Sequence, residues 1–148
     1  MIVSNLDTTR VAIIGPGRMG TSFAYKFGRD NKRVAIYYHN SDVCKAINRD
    51  HLNPIHLTED LAKRTGGMDK VPRLSPKVYA TNDLEHIVEN NDFIVLAVTM
   101  NRLPELLNYL KPMIDRKSGD TCLISPIKGL ISDERSTELI TPSMLIHN

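Results

Sequence analysis

Arg10-Val-Ala-Ile-Ile-Gly-Pro-Gly-Arg-Met-Gly20 is the stretch on which the reading of this chain turns. Its first half, Arg10 to Ile14, is a compact β-branched run ending at a glycine, the pattern of a buried strand. Gly15-Pro-Gly-Arg-Met-Gly20 follows at once, a G-x-G-x-x-G. Met19, Phe23 and Phe27 then recur every four residues and share one helical face. Gly28 and Asn31 offer stop signals, and Arg33-Val-Ala-Ile-Tyr-Tyr38 reads as a second strand. Strand, glycine loop, helix and strand in that order supply the context a dinucleotide-binding fingerprint requires. Gly15 permits the tight turn, Gly17 lets the main chain approach a pyrophosphate, and Gly20 lets helix pack on strand, with Ala24 keeping that face small. The free N–H groups at the helix start meet the diphosphate. Pro16 has no N–H to give, so the amides of Arg18 and Met19 carry the cradle. Gly17→Val and Gly20→Asp are both expected to abolish nucleotide binding and leave the fold intact.

The alternation continues along the chain. Ser41 to about Asn48 suits a short helix, with Val43 and Ile47 four apart and Ser41 as its N-cap. Residues 51–76, with Pro54, Gly66-Gly67, Pro72 and Pro76, read as mostly irregular, with a short helix from Thr58 to Arg64. Lys77-Val-Tyr-Ala80 reads as a short strand. Asp83 caps a helix holding Leu84, Ile87 and Val88, which Asn90-Asn91 ends. Asp92-Phe-Ile-Val-Leu-Ala-Val98 lacks alternation, as a strand covered on both faces does. Leu103, Leu106, Leu107 and Leu110 form a helical stripe that Pro112 is expected to terminate, and Thr121-Cys-Leu-Ile124 reads as another buried strand. Strand and helix alternating throughout predict an α/β fold, doubly wound, with a mainly parallel sheet and helices on both faces.

Composition agrees with one globular domain. The 148 residues carry 19 Lys plus Arg against 17 Asp plus Glu, a formal charge of +2, with the two signs interspersed. That balance excludes a disordered tail and makes no case for nucleic acid. Cys44 and Cys122 lie far apart and in no metal spacing, so both are expected as reduced, buried thiols. His51, His56 and His86 likewise show no metal spacing. Met1 to Arg10 has no apolar signal region, and the run from Phe93 to Val98 is far short of the roughly 20 residues that span a bilayer. A cytoplasmic domain is the expectation.

The end of the second strand should read the adenosine ribose, where an acid favours NAD and its absence leaves room for a 2′-phosphate. Here the residues are Tyr38-His39-Asn40-Ser41, with no acid before Asp42. Arg18 and His39 suit a phosphate, whereas Asn40 or Ser41 suits a hydroxyl. NAD and NADP both stay open, with NADP slightly favoured.

Ile47-Asn-Arg-Asp-His-Leu-Asn-Pro54, followed by His56-Leu57, resembles the segment I-N-x-x-H-x-N-P-x-Y-L of the NAD(P)-dependent glycerol-3-phosphate dehydrogenases. Val78-Tyr-Ala-Thr-Asn-Asp-Leu84 looks like that family's third strand and helix cap. Phe93 to Val98 looks like its fourth strand. Ser125-Pro-Ile-Lys-Gly-Leu130 is similar to its K-G motif after the fifth. The likeness runs from Arg10 to about Leu139. It departs at Arg18-Met19, where the family often has Ser-Trp, at His39, where Arg is common, at Val98-Thr99-Met100, where Val-Pro-Ser is usual, and over residues 58–73, which are lengthened.

The resemblance implies an oxidoreductase moving hydride between NAD(P)H and dihydroxyacetone phosphate or sn-glycerol 3-phosphate, a homodimer when full-length. It implies that Lys128 contacts substrate near the nicotinamide, where an ammonium stabilises negative charge developing on the carbonyl oxygen. On fold analogy Val98, Thr99 and Met100 line the nicotinamide end beside Lys128, with Gly15, Gly17, Arg18, Met19, Gly20, His39 and Asn40 along the rest of the coenzyme. It also implies a second, mostly helical domain with a further catalytic lysine as general acid. Residues 1–148 thus read as the NAD(P)-binding domain alone, an expressed fragment or a natural short form, inactive by itself. Two alternatives remain: a stand-alone NAD(P)-binding redox sensor or regulatory module, and a related dehydrogenase of another small hydroxy compound.

Overall fold

The computed structural model describes residues 9–30, 32–56, 59–132 and 139–147. Five parallel strands form its centre: β1 (Val11–Ile14), β2 (Val34–Tyr37), β3 (Val78–Thr81), β4 (Phe93–Leu96) and β5 (Cys122–Ile124). Their order is β3-β2-β1-β4-β5. The chain therefore winds outward from β1 to one edge, then returns to β1's other side and winds to the opposite edge. The expected doubly wound sheet is present, and its direction reverses between β1 and β4.

Side-chain alternation divides the core into two layers. Val11, Ile13, Val34, Ile36, Val78 and Val95 face one way, against α1 (Arg18–Arg29) and α2 (Ser41–Asp50). Ala12, Ile14, Ala35, Ile94 and Leu96 face the other, against α4 (Leu84–Asn90) and α5 (Leu103–Arg116). Both faces of β1 are covered, which is why all four of its residues are buried. A short antiparallel pair, β6 (Ile131–Ser132) with β7 (Leu139–Ile140), and α6 (Pro142–His147) complete the described chain. Among the described residues no helix is long and apolar enough to cross a membrane.

Several local expectations are corrected. α1 does not bury a stripe of large side chains: Met19 is 51% exposed, and the residues pressed on the sheet are Gly20, Thr21, Ala24 and Gly28. Phe23 and Phe27 stack on each other at 5.7 Å and pack against the rim of that layer. Small residues win because the helix must approach the strands closely at its start. The stop signal Asn31 lies outside the described residues, and α1 ends at Arg29 with Asp30 as C-cap.

Asn40, not Ser41, caps α2: its Oδ1 accepts from Asp42 N at 2.9 Å and Val43 N at 3.3 Å. In residues 51–76 the expected short helix is present as α3 (Glu59–Thr65), followed by a 3₁₀ turn at Met68–Lys70 that the sequence did not indicate. Thr58, the expected start of α3, lies outside the described residues.

Pro112 sits inside α5 and does not end it. A proline there removes one hydrogen bond, to the carbonyl of Asn108, which lies on the exposed side. Met113 and Ile114 gain by continuing the turn onto the core.

β5 is an edge strand, not a buried one. Leu123 turns to the α5 layer, while Cys122 and Ile124 are exposed. They share their face with Phe93 and Val95, but α1 packs over β1, β2 and β3 and leaves β5 bare. Cys122 is thus an exposed thiol. Cys44 is buried as expected; burial pushes its thiol up, and its S–H donates to the Tyr38 carbonyl at 3.4 Å.

Candidate coenzyme site

Parallel strands put all their carboxyl ends on one edge, so the sheet order aligns the loops that follow them. Across that edge run the β2 loop with His39 and Asn40, the β1 loop with the glycines, the β4 loop with Val98 and Thr99, and the β5 loop with Lys128. The sequence candidates fall in one row, centred on the switch between β1 and β4.

The three glycines of the loop have different physical reasons. Gly15 has φ +101°, a left-handed conformation that a side chain resists, and a Cβ there would lie 2.7 Å from the Ala97 carbonyl oxygen. Gly20 packs so tightly that a Cβ would overlap the Gly15 carbonyl oxygen. Gly17 is the N-cap of α1, with φ −64°, and a Cβ there would meet only the Ala97 oxygen, at 3.9 Å. Gly15 and Gly20 therefore serve the turn, whereas Gly17 alone borders open space.

This corrects the expectation that Gly20→Asp spares the fold. Even Gly20→Ala drives a methyl into main chain that cannot swing aside. It is expected to destabilise the protein by about 3 kcal/mol, the upper end for overpacking. A urea midpoint equal to the parent's would show that the loop yields.

No side chain caps α1 through Gly17, and its first turn carries no acid. Arg18 and Met19 are exposed there, so the start of a twelve-residue helix presents main-chain donors and the positive end of its dipole. Burial first, and the nearby Arg18 guanidinium second, hold the His56 imidazole below its usual pKa.

The end of α2 and the segment after it brace this loop from beneath, which the sequence did not reveal. Asn48 hydrogen-bonds both ways with the outer edge of β3, accepting from Ala80 N at 2.7 Å and donating to Ala80 O at 2.9 Å. His51 turns the chain with φ 53° as the C-cap of α2. Asn53, entirely buried, then reaches Pro16 and Thr21. Inside the segment read as I-N-x-x-H-x-N-P, these positions are a strand-edge cap, a turn and a loop brace.

In the β2 loop, the Asn40 side-chain oxygen is spent on the α2 cap, which leaves its side-chain nitrogen as a donor. His39 is exposed and its ring leans on Tyr38 at 4.3 Å. The Asp42 carboxylate stands in α2's first turn, 3.3 Å from Lys45 Nζ. At the opposite end, Thr99 Oγ1 donates to Asn101 Oδ1 at 2.7 Å, ordering the β4 turn. Gly129 has φ +124°, and a Cβ on it would lie 2.7 Å from Met100 Cε, so the Lys128-Gly129 loop rests on that same turn. Lys128 is exposed. Among the described residues no group of three His, Cys, Asp or Glu side chains is placed to hold a metal.

A parallel β3-β2-β1-β4-β5 sheet with an open, glycine-capped helix start at its reversal point defines a nucleotide-binding domain of the Rossmann class. A family model described as the N-terminus of NAD-dependent glycerol-3-phosphate dehydrogenase matches residues 10–146, and the chain belongs to that family.

It is 32% identical over 130 residues to a glycerol-3-phosphate dehydrogenase [NAD(P)+] of Treponema denticola, covering 84% of this chain and 33% of that protein. A relative of the same name from Lactobacillus delbrueckii is 24% identical over 131 residues, covering 88% of this chain and 35% of that one. The chain thus spans about a third of the length of these curated relatives. A solved glycerol-3-phosphate dehydrogenase from Coxiella burnetii superposes with a TM-score of 0.72 at 19% identity, covering 94% of this chain and 37% of that chain.

Proposed function

We propose that residues 1–148 form the NAD(P)-binding domain of a dehydrogenase that interconverts dihydroxyacetone phosphate and sn-glycerol 3-phosphate. The observation that carries this reading is the start of α1 at Gly17, free of any side-chain cap and set at the sheet's reversal point, with room for a ligand where a side chain would otherwise stand. Free helix-terminal amides and the dipole suit a diphosphate, and the glycine admits it to main-chain contact. Family membership adds the substrate, which is the one named for the relatives.

Bound there, the coenzyme supplies or accepts the hydride. The chain's own residues do the rest. Gly17, Arg18 and Met19 bind the pyrophosphate, and Val98 and Thr99 flank the nicotinamide end. Lys128 donates a hydrogen bond to the substrate oxygen, holding the charge that develops there during ketone reduction. The proton that completes the alcohol comes from a general acid outside the residues placed here, in a substrate-binding domain. The same reading takes the complete enzyme to be a cytoplasmic homodimer, on the resemblance and the sequence alone.

The β2 loop favours NADPH. No carboxylate precedes Asp42 there, Asp42 is engaged by Lys45, and Arg18 and His39 offer donors to a 2′-phosphate. Titration calorimetry on the 148-residue chain is expected to give a Kd for NADPH about tenfold below that for NADH, the worth of one charge-assisted hydrogen bond. Equal affinities would remove the preference, and no heat with either would remove the coenzyme reading itself. In that case a plain structural turn is the correct account of the glycines.

A further inference from the structure

We infer that Asn53 is a positioning residue of the coenzyme site: through the Pro16 carbonyl it turns the Gly17 N–H outward, adding a third amide to those of Arg18 and Met19. The inference rests on the coenzyme reading above.

The geometry is a closed triangle. Asn53 Nδ2 donates to the Pro16 carbonyl at 2.7 Å and to Thr21 Oγ1 at 2.8 Å, while Thr21 Oγ1 donates to the same carbonyl at 3.2 Å. Asn53 has two amide hydrogens and Thr21 one, and all three are used within the triangle. Asn53 Oδ1 accepts from Ile55 N at 2.9 Å, which fixes the side-chain amide with its nitrogen toward the loop. Asn53 is 0% exposed and Thr21 6%, so water does not compete for these bonds.

In a trans peptide the C=O and the next N–H point in opposite directions. Holding the Pro16 oxygen down into the protein therefore aims the Gly17 N–H up, over the start of α1. Without the clamp this peptide is free to turn over, because Gly17 tolerates the positive φ that the flip requires. A flipped peptide would present a carbonyl oxygen to the diphosphate, replacing attraction with repulsion. Pro16 itself lacks an N–H, so the Gly17 amide is the first donor the loop can offer.

The test uses the isotope-labelled 148-residue chain, NADPH, and three substitutions. Asn53→Asp keeps the shape and, when ionised, only accepts hydrogen bonds; Thr21→Val removes the hydroxyl that donates to the Pro16 carbonyl and accepts from Asn53; Thr21→Ser keeps that hydroxyl. In the parent, NADPH is expected to shift the amide signals of Gly17, Arg18 and Met19 together. In Asn53→Asp the Pro16 carbonyl carbon is expected to move in the free protein. The Gly17 response to NADPH is expected to vanish while Arg18 and Met19 keep theirs, with Kd rising about tenfold. Thr21→Val is expected to act in the same direction by a few-fold and Thr21→Ser to match the parent, which decides the matter should Asn53→Asp not fold.

A Gly17 response unchanged in Asn53→Asp, or in Thr21→Val if the first does not fold, overturns the inference and leaves the coenzyme reading standing. So does a parent in which Arg18 and Met19 respond and Gly17 does not. A parent in which no loop amide responds overturns both.

Discussion

Gly17→Val is expected to fold and to lose at least about a hundredfold in affinity for NAD(P)H. The backbone at Gly17, φ −64° and ψ −176°, is open to any residue, and a Cβ there meets only the Ala97 oxygen at ordinary distance. Gly17 makes no side-chain cap bond, so replacing it costs the helix no more than about 1 kcal/mol. The branched side chain instead fills the space above the first helical amides. A diphosphate kept from two of these donors loses two hydrogen bonds to a charged group, each worth about 1.5–3 kcal/mol. At 1.4 kcal/mol per factor of ten, that exceeds a hundredfold. Calorimetry with NADPH, beside a thermal melt to verify folding, checks it. Parent-like affinity in a folded Gly17→Val protein would contradict the assignment of this loop.

If the proposed activity holds, Lys128→Ala is expected to lower kcat for dihydroxyacetone phosphate by about 10²–10³, the range for removing one donor to a developing oxyanion. The Kd for NADPH is expected to change by less than about threefold, since the proposed site holds the pyrophosphate at α1 and not at the β5 loop. The separation follows from topology: β4 stands between β1 and β5, so Lys128 lies two strands from the glycine loop. Lys128 is exposed and carries none of the core, so its removal leaves the fold unchanged. Steady-state kinetics and calorimetry on the same preparation separate the two effects. An unchanged kcat would take Lys128 out of the mechanism.

The places where the sequence misled have a common physical origin. The Met19-Phe23-Phe27 periodicity is a real helical face, and its two phenylalanines pack on the core, yet the residues fully buried are Gly20, Thr21, Ala24 and Gly28, because a helix pressed against strands at Gly20 has no room there for large side chains. Thr121-Cys-Leu-Ile124 is apolar enough to be central but sits at the edge, since neither composition nor alternation states where a strand stands in a sheet. Pro112 signals a helix end locally, and two apolar residues beyond it outweigh the one lost bond. In the Asn40-Ser41 pair both residues are capable caps, and only the backbone angles at Asn40 choose between them.

What the sequence determined unaided is local and periodic: the five strands, the helices between them, the glycine loop at a strand-to-helix joint, and hence a doubly wound sheet with its ligand edge at the strand ends. Those features depend on short-range sterics and on burial of regularly spaced apolar groups, both written in neighbouring residues. The tertiary structure alone decided the division of labour among the glycines and the bracing of Pro16 by Asn53. The first depends on which atoms approach across the fold, as Ala97 approaches Gly15. The second joins residues 37 positions apart, a hydrogen bond whose partners carry no mark of each other in the chain.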